Sequence, residues 1–190
     1  MKHLLIAALL SSAALPALAV TEAEVVKTYA DIAEAGYADS LATAKALQAA
    51  VDALIATPSA ESLEAAKAAW LAARVPYQQT EVFRFGNAIV DDWEGRVNAW
   101  PLDEGLIDYV DAGYGESEEN PLSVLNVIAS PKISIGGTEV DASTITPALI
   151  KDTLHEADGI EANVASGYHA IEFLLWGQDL NGTEKGAGDR

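Results

Sequence analysis

Apolar residues recur at helical spacing from about Thr21 to Ile55. Val25, Ile32, Leu41, Leu47, Val51 and Leu54 punctuate an alanine-rich, proline-free stretch, which predicts one long helix that Gly36 weakens only modestly. Thr57-Pro58 reads as a cap followed by proline in the first helical position, so a second helix starts there. Ala65, Ala69, Trp70 and Ala73 carry its apolar face. Pro76 should kink or restart it, and the pattern continues to about Phe85 before Gly86.

From Gly86 to Gly115 the periodicity loosens. Asp91-Asp92-Trp93-Glu94-Gly95 and Trp100-Pro101 read as an ordered loop, too aromatic to be disordered, and Glu104 to Val110 as a short helix. Asn120-Pro121 repeats the cap-then-proline signal and predicts a short helix through Val127. Ile133, Ile135 and Gly136-Gly137 before Val140 predict a small β-hairpin. Thr146-Pro147 starts another cap-proline helix, to about Ala157. A last helix is expected from near Glu161 to Trp176, closed by Gly177. The fold class is therefore all-α: a helical bundle with an irregular loop region and a small β-hairpin insertion.

Composition sets the compartment. Met1-Lys2-His3, an apolar core from Leu4 to Leu10 and the small residues of Ala17-Leu18-Ala19 read as a signal peptide over 1–19, with export to the periplasm or cell envelope. No later stretch approaches the roughly 20 apolar residues of a spanning helix. The sequence has no cysteine, which excludes a lipoprotein anchor, disulfides and cysteine metal ligands. Residues 20–190 then form one helical unit held by its core alone. The formal charge is −18, from 11 basic and 29 acidic residues, and loss of Lys2 with the leader makes it −19. Such a surface repels phosphate backbones, so nucleic acid is not an expected partner, and it attracts cations.

The chemistry concentrates in the last helix. His169 and Glu172, three residues apart, project side by side, and an imidazole nitrogen and a carboxylate oxygen so placed can meet one metal ion. Helical bundles use i, i+3 pairs of these two residue types to hold iron or manganese. The same spacing also suits an internal hydrogen bond. Val164, Tyr168, Ile171 and Leu175 form an apolar stripe, and Phe173, Leu174 and Trp176 add apolar area around the pair. A carboxylate in such a setting needs a cation or a donor. A second polar patch places Arg74, Gln78 and Glu81 on one face with Arg84 three further on. An intrahelical Glu81–Arg84 pair explains that patch as well as a ligand role does.

Gly167-Tyr168-His169-Ala170-Ile171-Glu172-Phe173-Leu174-Leu175-Trp176-Gly177-Gln178-Asp179 resembles the G-x-H-x-x-E signature of the imelysin family. Gln79-Thr80-Glu81-Val82-Phe83-Arg84-Phe85-Gly86 and Trp100-Pro101-Leu102-Asp103-Glu104-Gly105 are similar to the family's upstream runs. The resemblance implies an exported bacterial protein of helical-bundle type, often iron-regulated, related to periplasmic iron uptake and classed by tradition with metallopeptidases. It implies a divalent metal, iron or zinc, at His169 and Glu172 with Glu81, and Arg84, Asp103 and Gly167 as supporting residues. The family domain normally extends well past residue 190, so the chain is expected to represent its N-terminal portion. An envelope protein partner is a further expectation.

Peptidase chemistry has less support from the residues themselves. H-E-x-x-H sites place two histidines on one helix, and the inverted form needs H-x-x-E-H, where Phe173 stands here. His155-Glu156 is followed by no second histidine either. Glu172 would be the general base if the protein is a peptidase. One histidine with several carboxylates suits iron better than a protease zinc, so metal binding linked to iron acquisition is favoured over hydrolysis, with a non-catalytic envelope interaction module as the third reading.

Overall fold

The computed structural model describes residues 20–114, 119–178 and 180. The expected leader over 1–19 lies outside them, as does nearly all of the polar stretch after Gly177. Helix α1 spans Glu22–Ala56. Thr21 caps it reciprocally with Glu24, and the two acidic residues of its first turn oppose the positive end of the helix dipole.

Helix α2 spans Ala60–Gln79 and packs along α1. Its cap is Ser59 rather than Thr57: Ser59 and Ser62 exchange side-chain and backbone hydrogen bonds, while the Thr57 N–H closes α1 on the Ala53 carbonyl. Pro58 therefore precedes the cap. The helix passes Pro76, close enough to its end that few hydrogen bonds are lost. It stops at Gln79, short of Phe85, because the Thr80 N–H and hydroxyl both donate to the Tyr77 carbonyl and tighten the chain into a 3₁₀ turn at Glu81–Phe83.

The expected loop at Asp91–Gly95 is instead a helix, α3, over Ala88–Val97. Asp91 in its first turn and Arg96 in its last favour the dipole, and one internal glycine costs only about 1 kcal/mol. Helix α4 is a single turn, Glu104–Ile107. The helix expected after Asn120-Pro121 does not form. The N–H groups of Asn126, Val127 and Ile128 donate to the carbonyls of Gly105, Leu106 and Ile107, so they are committed across the loop and cannot serve a local helix.

Strands β1 (Lys132–Ile135) and β2 (Thr138–Asp141) pair antiparallel, with Ile135 opposite Thr138. Gly136 and Gly137 both have positive φ, 56° and 79°, as a two-residue primed turn requires. Thr146 Oγ accepts the Leu149 N–H, and the helical segment beyond Pro147 widens to a π turn over Leu149–Leu154. It ends before Ala157 because Glu156 takes the left-handed conformation. Helix α5 spans Gly167–Trp176 and starts later than Glu161. The preceding residues make a turn at 161–162 and are bonded elsewhere: the Ala162 carbonyl accepts from Asp103, and the Asn163 carbonyl from Glu156.

Two cores meet on α5. Leu47, Ala66, Trp70, Ala73 and Tyr77 pack with Tyr168 and Leu175 on one side. Leu102, Ile107 and Val164 pack with Ala170 and Phe173 on the other. The Trp70 indole N–H donates to the Tyr168 carbonyl at 2.9 Å, and its ring meets those of Tyr168 and Trp176 edge-on. Much of the apolar stripe of α1 has no such cover: Val25, Ile32 and Leu41 are exposed, and only Leu47 is buried. Trp70→Ala should lower the unfolding free energy by about 3–5 kcal/mol in urea titration, since it removes a large buried side chain at the junction of three helices.

Candidate metal site on helix α5

With both sides of α5 buried, the strip that remains carries His169 and Glu172. His169 Nδ1 lies 3.3 Å from Glu172 Oε2, and the two side chains are 20 % and 34 % exposed. Phe173 belongs to the second core and Leu174 turns outward, so neither encloses the pair. Aromatic cover comes from outside the helix: the Trp100 ring lies 4.9 Å from the imidazole, tilted by 54°.

Gly167 explains how these two rings meet. It begins α5 at φ +86°, and a β-carbon there would fall 2.5 Å from the Val97 carbonyl oxygen. The Ser166 hydroxyl donates to the Arg96 carbonyl at 3.0 Å. The start of α5 is thereby held against the end of α3. Trp100 follows three residues after Val97, and His169 two after Gly167. This close approach needs a residue with no side chain and a positive φ, and only glycine meets both conditions.

The other expected site residues lie elsewhere. Glu81 is exposed in its 3₁₀ turn. Among the described residues no three His, Asp or Glu side chains come close enough together to hold one metal ion, so Glu81 does not join the pair. Arg84 pairs with Asp91 and Glu94 of α3, at 3.3 and 3.1 Å, rather than with Glu81, because the end of α2 breaks the helical spacing. Asp103 accepts from the Tyr114 hydroxyl at 3.1 Å and from the Asn120 amide. Burial, and then the Asp103 charge, raise the Tyr114 hydroxyl to about 12. Asn120 also donates to Asn163 at 2.8 Å, and Asn163 to the Ala157 carbonyl at 2.8 Å. Asp103 thus anchors a polar network within the loop region.

One buried side chain beside these cores carries no signal in the sequence. Asn163 is completely buried, and nothing in its local pattern marks it. Arg74 sits against the rings of Trp70, Tyr77 and Tyr168, at 5.0–5.7 Å from their centroids, and donates to Asn98. Burial raises the Tyr77 and Tyr168 hydroxyls above the ordinary tyrosine range. An apolar groove of about 570 Å³ lies between α1, α3 and α5, with Leu41, Val51, Trp93 and Ile171 among its walls. His169 and Glu172 do not line it.

As a donor set, the pair offers one imidazole nitrogen and one carboxylate. That fits a metal site with open coordination positions; it does not fit a closed structural site. The fold and this pair define the class, a helical protein with a histidine–glutamate pair one turn apart on a central helix. A family model described as Imelysin matches residues 33–190, and the chain belongs to that family. It is also similar to Iron-regulated protein A of Synechococcus elongatus, at 39 % identity over 71 residues. That match takes in 37 % of this chain and 20 % of the relative, so the chain spans only a small part of that relative's length.

Gly167→Ala should destabilise the protein by roughly 2–4 kcal/mol, because the new methyl meets the Val97 carbonyl in a backbone conformation that disfavours it. Chemical denaturation of the two proteins side by side checks this. Gly137→Ala, at a position where a β-carbon meets nothing within 4 Å, should lose distinctly less.

Proposed function

We propose that this protein is an exported, imelysin-like metal-binding component of iron acquisition, with His169 and Glu172 at the centre of its metal site. The reading rests chiefly on one observation: an imidazole and a carboxylate lie 3.3 Å apart on the partly exposed strip of an otherwise buried helix. Family membership and the name of the cyanobacterial relative point to iron. The leader pattern over 1–19 supports export, and among the described residues no helix is long and apolar enough to cross a membrane.

A bound cation beside His169 would add a favourable charge for the Glu172 carboxylate. The chain's own contribution is to hold His169 and Glu172 together on a rigid helix, with the remaining coordination left to water or to a partner. Glu81 can join only if its turn moves toward α5. A net charge of −18 raises the local concentration of any cation near the surface.

Peptide hydrolysis, which the name of the family model includes, would require Glu172 as general base beside a zinc held mostly by other groups. Among the described residues no three His, Asp or Glu side chains gather around His169 to hold that zinc. Binding without turnover is therefore the preferred reading.

Anaerobic calorimetry with iron(II) and with zinc tests it. The wild-type protein should bind iron(II) with micromolar or tighter affinity, His169→Ala should abolish that binding, and neither protein should cleave an unfolded protein substrate with metal present. Equal binding in both proteins, or none in either, would sink the proposal. Turnover lost in Glu172→Ala would establish the peptidase instead.

A further inference from the structure

We propose that Glu172 and Trp100 act as positioning residues: together they fix the His169 imidazole in one tautomer and one orientation, with Nε2 as its free lone pair. The inference rests on the reading of His169 as a metal ligand. It divides the roles within the pair, which spacing alone leaves as two equal donors.

The nitrogen facing Glu172 is Nδ1. An ionised carboxylate only accepts hydrogen bonds, so a neutral imidazole makes this contact attractive by carrying its proton on Nδ1. The lone pair then resides on Nε2, which has no hydrogen-bond partner among the described residues. Metal-ligating histidines are commonly held this way, with the second nitrogen donating to a carboxylate that fixes the ring and raises its basicity.

One hydrogen bond leaves the ring free to swing about it. Trp100 removes that freedom by lying 4.9 Å away, against the imidazole. Core burial does not account for its position, because Trp100 is 66 % exposed. Its backbone neighbours hold it instead. Leu102 is buried with Phe173, Ala99 packs against the same cluster, and the Asp103 N–H donates to the Ala162 carbonyl at 2.9 Å. The Gly167–Val97 approach then sets the separation of the two rings. Trp100 also walls a polar cavity of about 310 Å³ that includes Glu94, Glu156 and Glu161 and that His169 does not line.

The test reads the tautomer directly, without metal, from long-range proton–nitrogen correlation spectra of the ¹⁵N-histidine-labelled protein at mildly alkaline pH. His169→Gln identifies the His169 signals. The wild-type spectrum should show the Nδ1–H form. Glu172→Ala should shift His169 toward the Nε2–H form usual in free histidine. Trp100→Ala should give a mixed, exchange-averaged pattern, and Trp100→Phe should restore the wild-type one. Circular dichroism verifies that each variant is folded; the exposure of Trp100 favours this. In parallel, iron(II) affinity should fall about 10–100-fold in Glu172→Ala and Trp100→Ala and recover in Trp100→Phe. An Nε2–H form in the wild type, or a Trp100→Ala spectrum and affinity that match the wild type, would overturn the proposal. The Nδ1–H form in a wild type that takes up no iron(II) or zinc would uphold the clamp and defeat the metal reading alone.

Discussion

The contact between Gly167 and the Val97 carbonyl is the constraint on which the arrangement around α5 depends. The missing β-carbon lets the end of α3 come against the first turn of α5, at a distance where any other residue would collide with the carbonyl oxygen. Three consequences follow. The first core gains Val97 beside Tyr168. The chain leaving α3 is directed so that Leu102 enters the second core. Trp100, between those anchors, is carried over His169. The glycine and the histidine of the G-x-H-x-x-E signature are thus parts of one device, although only the histidine carries chemistry.

Helices with strong periodicity were legible in the sequence. The extent of α1 was, because its alanine-rich run ends at Thr57. So was the hairpin, because two adjacent glycines before Val140 specify a primed turn. What misled was the commitment of backbone groups to distant partners. Asn120-Pro121 has the form of a helix start, yet the N–H groups from Asn126 to Ile128 bond to α4 carbonyls, and residues 161–166 stay out of α5 for a similar reason. The opposite error occurred at α3. Asp91-Asp92 and Gly95 look loop-like one at a time, while the dipole and the packing of Val97 outweigh them.

The candidate site was legible to the extent that it is local. His169 and Glu172 meet because an i, i+3 spacing on a helix leaves them little alternative. Glu81, Arg84 and Asp103 depend on the path of the chain between helices, and spacing carries no information about that path. Two of them have structural roles close at hand. Arg84 ties the turn after α2 to α3, and Asp103 ties α4 to Asn120 and, through it, to Asn163. A buried network of this kind is costly to leave incomplete, which gives Asp103 a sufficient reason to be present without any ligand.

The separation between charge and chemistry then becomes clear. The protein is strongly acidic, but its carboxylates are spread over the surface, and among the described residues they gather into no site of three. The general field draws cations in; on the proposed reading, selection falls to the His169 imidazole. A site with so few protein donors leaves most of a metal's coordination shell to exchangeable ligands. On the proposed reading, that is the chemistry of a protein that takes up a metal and passes it on. A resident catalytic zinc would call for at least three protein ligands fixed in place.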